Sequence, residues 1–345
     1  VIPDRGKERI TMPNRTFVSP PWALDRNLAL EVVRVTEASA LAAARWMGRG
    51  DDKAADKAAA DAMREALNSL SMDGRIVNGE GDDPAVPLHT GEKVGTGAGV
   101  RVDIVLTAIE GATICAKGSH NALSVVAATE EGSFLHVPDN IYMEKLAVGA
   151  GLPAGILDLD VPAEQNLARV AAAKGMAIAD LTICMLDRPR HAELLGRVYD
   201  AGARVVLIDD GDVSGAIATG LPDSGIDVYM GSGGAAEGVL AAAGLKCLGG
   251  QMQARLMLRG EDERARCRRA GIADCNAKFD IGDMVKGEVM FAATGITDGH
   301  LLKGVRLYPT GALSHSLVMR SATGTVRMLT SRHDFARHAR LHAPE

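Results

Sequence analysis

Three short apolar runs, each followed by a helix-forming stretch, dominate the second half of the chain. Leu181 to Leu186, Arg204 to Ile208 and Ile226 to Met230 read as strands. Helices are expected at 190–201, at 212–219, and from the Gly231-Ser232-Gly233-Gly234 turn to about 247. Three strand-to-helix units in a row imply a parallel sheet, because parallel neighbours need a crossover and the crossover has a fixed hand. The ligand side of such a sheet is the C-terminal end of its strands.

The first half reads differently. A helix is expected over 25–47, capped by Asp25, with Leu28, Val32, Val35 and Ala42 at helical spacing and Gly48 and Gly50 as stops. A second runs from about Asp52 to Leu70, with Ala59, Ala60, Met63 and Leu67 as its stripe. Asp56 falls on that stripe. A carboxylate facing an interior is costly unless paired or bound to a cation. An exposed first turn, where Asp56 merely suits the helix N-terminus, fits equally well. Short strands follow. Arg75 to Asn78 runs into Gly79-Glu80-Gly81, and Val102 to Leu106 into Ala108-Ile109-Glu110-Gly111. Ala122 to Ala127, a turn at Glu131-Gly132, and Ser133 to Val137 read as a hairpin, with Tyr142 to Val148 as a further strand. Residues 257–285 form a charged, helical excursion, and 289–328 return to strands.

This pattern implies an α/β protein of two lobes with a cleft between them. The expected organisation is an arm at 1–24, an α+β lobe at 25–160, a parallel α/β lobe at 161–288, completing strands at 289–330 and a tail at 331–345. With 47% hydrophobic residues but 3% aromatic, the core must be built from Ala, Val and Leu, with 39 Gly for tight turns. The formal charge of -6 argues against a generic nucleic-acid binder. No run of eighteen apolar residues is present, so no membrane span is expected. The opening residues lack the apolar core of a secretory signal. Five cysteines with no CxxC pair suit reduced thiols in the cytoplasm. In the tail, His338 and His342 have the i,i+4 spacing of a zinc pair, but no third ligand is in view.

Asp56, Glu80 and Glu110 sit where helices or strands hand over to loops, and Glu237 lies just inside the helix after the glycine turn. Carboxylates from separate elements suit Mg²⁺ or Mn²⁺, which take oxygen ligands and assist phosphate-ester hydrolysis. Solvated loop acids would look the same in sequence. Asp210-Gly211-Asp212 follows a strand and could accept from sugar hydroxyls, or simply cap a helix. Arg188-Pro189-Arg190-His191 could bind a phosphate, or be a surface cluster. Gly231-Ser232-Gly233-Gly234-Ala235-Ala236 fits a GxGxxA dinucleotide fingerprint, but no strand ending in an acid follows about twenty residues on.

Taken in order, WMGRGDDKAADKAA, NGEGDD, GEKVGTG, NALSVVA, YMEKLAVG, LDRPRH, DGDV, PDSGIDVYMGSGGAAEGVLAAA, KCLGGQMQ, FAATGITDG and HSLVMRS resemble class II fructose-1,6-bisphosphatase, of the lithium-sensitive phosphatase superfamily. The likeness spans roughly 25–330. It implies a two-lobed sugar-phosphatase fold of layered sheets and helices, and a gluconeogenic hydrolase of the fructose 1,6-bisphosphate 1-phosphate, with sedoheptulose 1,7-bisphosphate as a further substrate. It implies Mg²⁺ or Mn²⁺ on Asp56, Glu80, Glu110 and Glu237, with Glu80 and Glu110 catalytic. Glu110, Gly111, Tyr142, Arg188, Pro189, Arg190, Asp210, Gly211, Asp212 and Gly234 would contact substrate. A homo-oligomer is expected by the same analogy.

The chain departs from the family at informative points. Where the family reads DPLEGTT, this chain has TAIEGAT. Thr107 thus stands for a metal-binding aspartate, Ala108 for a proline, and Ala112 for a threonine that helps activate the water. The loop after Glu80 is one residue shorter, Ala236 replaces a proline, and one residue is inserted near Asn140-Ile141. Trading a carboxylate for a hydroxyl removes charge from a dication site. Thr113 is expected to point elsewhere if the segment stays extended. Three readings follow: a bisphosphatase with a weakened metal site, a non-catalytic relative that binds sugar phosphates, and an inositol-phosphate-type phosphatase. Arg188-Pro189-Arg190 and Asp210-Gly211-Asp212 favour a sugar bisphosphate over the third.

Overall fold

The computed structural model describes residues 28–336. The Asp25 cap, the arm at 1–24 and the His338/His342 pair lie outside the described residues. Helices α1 (Leu28–Ala44) and α2 (Asp52–Asn68) come first, then β1 (Met72–Asn78), β2 (Lys93–Val94), β3 (Val100–Glu110), α3 (Ala112–Lys117) and β4 (Leu123–Glu130). The middle of the chain gives β5 (Tyr142–Val148), α4 (Ala163–Lys174), β6 (Thr182–Leu186), α5 (Ala192–Asp200), β7 (Arg204–Ile208), α6 (Asp212–Ala218), β8 (Val228–Gly234) and α7 (Ala235–Leu248). The last part gives β9 (Gln251–Met257), α8 (Glu261–Arg269), β10 (Phe279–Asp280), α9 (Ile281–Met284), β11 (Met290–Gly295), β12 (Arg306–Tyr308), β13 (Gly311–Arg320) and β14 (Thr325–Asp334).

The strands form two sheets. The 8-stranded sheet runs β12-β13-β11-β4-β3-β1-β2, with β14 on β13. The 6-stranded sheet runs β10-β9-β5-β8-β6-β7. Strands β8, β6 and β7 are parallel, as their crossover helices require, whereas β5, β9 and β10 add on antiparallel. The sheets cross the sequence boundary expected at 160: β5 belongs to the second sheet, and the strands after 289 complete the first.

Side-chain alternation turns these sheets into layers. On the first sheet, Ile104, Leu106, Val126, Ala292 and Val318 pack with α1 and α2, while Val105, Val125, Ala127, Phe291 and Leu317 face the opposite way. That opposite face shares one core with α6, α7 and the inner face of the second sheet, through Met143, Cys184, Ile208, Tyr229 and Ala254. The outer face of the second sheet, with Leu146, Ile183, Met185 and Val228, packs on α4 and α5. The result is five layers, helix-sheet-helix-sheet-helix. Helix α7 at the centre is Ala- and Gly-rich because both sheets press on it; Val239 to Leu245 is buried all round.

Several expectations are corrected. Ser133 to Val137 is not a hairpin strand: β4 already has β3 on one edge and β11 on the other, so no edge is left. Phe134 instead makes an isolated bridge to Val285. Gly231 to Gly234 is not a loop that opens a helix; β8 runs through it to Gly234. The chain after Glu110 is not extended, because α3 starts at Ala112. Pro189–His191 forms a separate 3-10 turn ahead of α5. Strand β14 continues to Asp334, into the residues expected to be tail.

Candidate active site

The C-terminal ends of β3, β6, β7 and β8 meet the start of β5 around a cleft of about 220 Å³. Thr107, Glu110, Gly111, Tyr142, Arg188, Arg190, Asp210, Asp212, Gly234 and Glu237 line it. Most of the residues proposed from sequence are therefore brought together. Pro189 stays exposed and starts the turn that carries Arg190. Gly211 is buried as the left-handed N-cap of α6, and Gly111 plays the same part for α3. Asp56 and Glu80 lie outside the cleft lining, beside it.

Glu110 and Glu80 are each held by a backbone amide. The register of β3 against β4 shifts between Thr107 and Glu110, so the end of the strand is re-aimed. Glu110 is buried, and its Oε1 accepts the Val213 amide at 2.6 Å. Its other oxygen, Oε2, is buried with no partner. Burial raises the Glu110 carboxyl well above the usual range, and Asp212, Asp210 and Glu237 push the same way. Glu80 Oε1 accepts the Ala108 amide at 2.6 Å, and the Thr107 hydroxyl donates to the same carboxylate. Burial, then Asp56, then Glu237 push Glu80 up to about 7. Burial and then Asp52 raise Asp56. Glu237 is raised by burial and then by Asp212, while Lys145 opposes this. One electrostatically linked group of acids thus runs from Asp56 to Asp210.

The opposite wall is basic. Arg188 donates to the Asp187 carbonyl at 3.0 Å and to the Asp209 carbonyl, with its guanidinium 3.8 Å from Asp210. Arg190 donates to the Ser232 carbonyl at 2.6 Å and lies 5.1 Å over the Tyr142 ring. His191, buried behind it, has Nδ1 2.8 Å from the Leu186 carbonyl, while Nε2 accepts the Ser232 amide at 2.9 Å. The two glycines ending β8 make room for acids. A Cβ at 233 would fall on the Asp212 carboxylate, and one at 234 on the Glu237 carboxylate. The glycine run therefore serves close approach of side chains, not a nucleotide loop.

Two residues at this site escaped the sequence reading. Lys145 is fully buried, paired with Asp212, and donates to the Gly234 carbonyl at 2.8 Å. Its signal was a charge at the period-2 position shared with the apolar Met143 and Ala147. His191 gave no signal beyond its place in the basic turn. The departures also have a place: Thr107 lines the cleft, and Ala112 starts α3. Thr113 is exposed on that helix and does not line the cleft.

Among the described residues, no three His, Cys, Asp or Glu side chains close tightly enough on one point to hold a metal ion. Cage geometry is therefore not preformed. The donor chemistry nonetheless fits a hard dication: the atoms are carboxylate oxygens, Glu110 Oε2 is orphaned, and mutual repulsion leaves the group short of positive charge.

The family described as bacterial fructose-1,6-bisphosphatase, glpX-encoded, matches residues 26–333. A fructose-1,6-bisphosphatase class 2 from Haemophilus influenzae is 44% identical over 325 residues, 90% of this chain and 97% of its own length. A fructose-1,6-bisphosphatase 1 class 2 from Escherichia coli is 45% identical over 323 residues, 89% of this chain and 95% of its own. With the match running from α1 to β14 and through every wall of the cleft, the chain belongs to the bacterial fructose-1,6-bisphosphatase family.

Proposed function

We propose that this chain hydrolyses the 1-phosphate of fructose 1,6-bisphosphate to give fructose 6-phosphate and inorganic phosphate. The observation that carries the reading is one cleft with a basic wall, Arg188 and Arg190, facing Glu110, Asp210, Asp212 and Glu237. Arg190, steadied over Tyr142, binds the far phosphate, and Asp210 and Asp212 accept from the sugar hydroxyls. Glu110 Oε2, buried and unpartnered, would serve as a metal-ligating carboxylate oxygen beside the attacking water. Asp56, Glu80, Glu110 and Glu237 would hold Mg²⁺ or Mn²⁺, which supplies Lewis-acid stabilisation of the phosphoryl charge when bound. Gly111, Gly211 and Gly234 keep the walls close to the sugar, and Pro189 fixes the turn between the arginines.

Sedoheptulose 1,7-bisphosphate presents the same groups and belongs to the same proposal, as does membership of the lithium-sensitive phosphatase superfamily. Buried, unpaired cysteines at 115, 184, 247, 267 and 275 support a reducing, cytoplasmic setting. A homo-oligomer is proposed by family analogy alone. No helix among the described residues is long and apolar enough to cross a membrane.

Thr107 and Ala112 favour a second reading, a lapsed relative that binds the sugar bisphosphate without turning it over. Phosphate release from fructose 1,6-bisphosphate, with Mg²⁺ and Mn²⁺ titrated, decides between them. Release by the parent supports the enzyme. A silent parent beside an active Thr107→Asp, Ala112→Thr variant supports the lapsed relative. Silence and no substrate binding in both would remove the bisphosphatase reading.

A further inference from the structure

Strand β5 turns Met143, Lys145 and Ala147 toward α7, and all three are 0% exposed. Lys145 is the one buried lysine or arginine among the described residues. An ammonium in that position must find charged and polar partners or destabilise the fold. Its partners come from two other elements. Asp212, the first residue of α6, forms the ion pair. Gly234, where β8 hands over to α7, accepts at 2.8 Å.

The surroundings are cut to fit this side chain. A Cβ at 233 would displace Asp212 and stand 3.2 Å from Lys145 Nζ. A Cβ at 238, one turn into α7, would press on Met143 and come 3.6 Å from the lysine stem. Glu237 lies between those positions. Lys145 does not line the acid-bearing cleft itself but grips the two elements that supply Asp212 and Glu237.

We propose that Lys145 is a positioning residue, which fixes Asp212 and the β8–α7 junction relative to each other so that sugar hydroxyls meet a preset frame. This rests on the reading of the cleft as a sugar-bisphosphate site. A lysine that only filled space would, when replaced, lower stability and leave the affinity of the folded fraction alone.

The test uses the full chain with Lys145→Met, Lys145→Gln, Asp212→Asn and the Lys145→Met, Asp212→Asn double variant. Fructose 1,6-bisphosphate binding is measured by calorimetry with Mg²⁺ present, together with KM, kcat and the thermal midpoint. Lys145→Met should weaken binding and raise KM by about 10–100-fold, the usual range for a residue that orients a ligand-binding group. The double variant should lose less affinity than the product of the two single losses, since part of the lysine's effect runs through that aspartate. A folded Lys145→Met with parental affinity and KM overturns the proposal, and so does a double variant in which the two losses multiply. Should Lys145→Met not fold, Lys145→Gln, whose amide can still donate to the Gly234 carbonyl, decides by the same affinity comparison. A folded parent that binds no fructose 1,6-bisphosphate overturns the functional reading and the proposal with it. Parental binding retained in the variants overturns the proposal alone.

Discussion

At position 107 a neutral hydroxyl donates to Glu80, where an aspartate would repel it. Thr107→Asp should therefore lower the thermal midpoint in chelator, by about 1–3 kcal/mol in stability, and recover it on adding Mg²⁺ or Mn²⁺. A midpoint unchanged in chelator would show that Thr107 does not steady Glu80. Glu110→Gln keeps an oxygen for the Val213 amide but removes the charge. It should cut phosphate release on the order of 10²–10⁴-fold with little loss of stability. Hydrolysis at the parental rate would sink the assignment. His191 carries a pH dependence. Burial, then Arg190 and Arg188, hold its imidazole below the ordinary 6.5, and Nε2 is already an acceptor for Ser232. Its contribution is complete above 6.5. As pH falls below that value the unfolded chain takes up a proton that the native site refuses, and stability drops by up to about 1.4 kcal/mol per pH unit. Urea unfolding of the parent and of His191→Asn at pH 7.5 and 5.5 should show this slope in the difference between the two, since the buried acids, Glu80 among them, titrate over the same range in both. The acids of the cleft were legible in sequence because they stand at element ends. Lys145 was not, since its partners Asp212 and Gly234 lie far along the chain.

Helix and strand boundaries were read well where hydrophobic period was strong, as in α2, β6 and β7. The hairpin at 122–137 failed for a non-local reason. The turn at Glu131-Gly132 is real, but pairing is a competition, and β3 and β11 win both edges of β4. The GSGG stretch was ambiguous because glycine has two uses, loop freedom and room. At Gly233 and Gly234 room is the use, whereas Gly231 also takes a φ of +150. The backbone at Gly234 has φ -58, which alanine accepts, yet its Cβ would strike the Glu237 carboxylate. Gly234→Ala should leave the fold intact while phosphate release falls about tenfold or more, as for other misplaced ligand groups. Full activity in that variant would mean Glu237 has no required position.

Layer order could not be read from the sequence at all. It depends on β5 pairing with β8 and β9, and on β11 pairing with β4, across long stretches of chain. The outcome is that α7 has no free face. Ala242→Asp, which puts a carboxylate between the sheets, should abolish folded protein altogether; a variant that loses one lobe and keeps the other would show the layers to be independent. The parent should correspondingly melt in a single calorimetric transition. The same helix begins at the cleft, with Glu237 in its first turn. Occupancy there is therefore transmitted to melting of the entire chain, and a ligand at a hundred times its dissociation constant adds about 2.7 kcal/mol to the folded state. The protein is in effect its own thermometer for ligands: a panel of sugar phosphates ranked by melting shift would order its substrates without a single turnover.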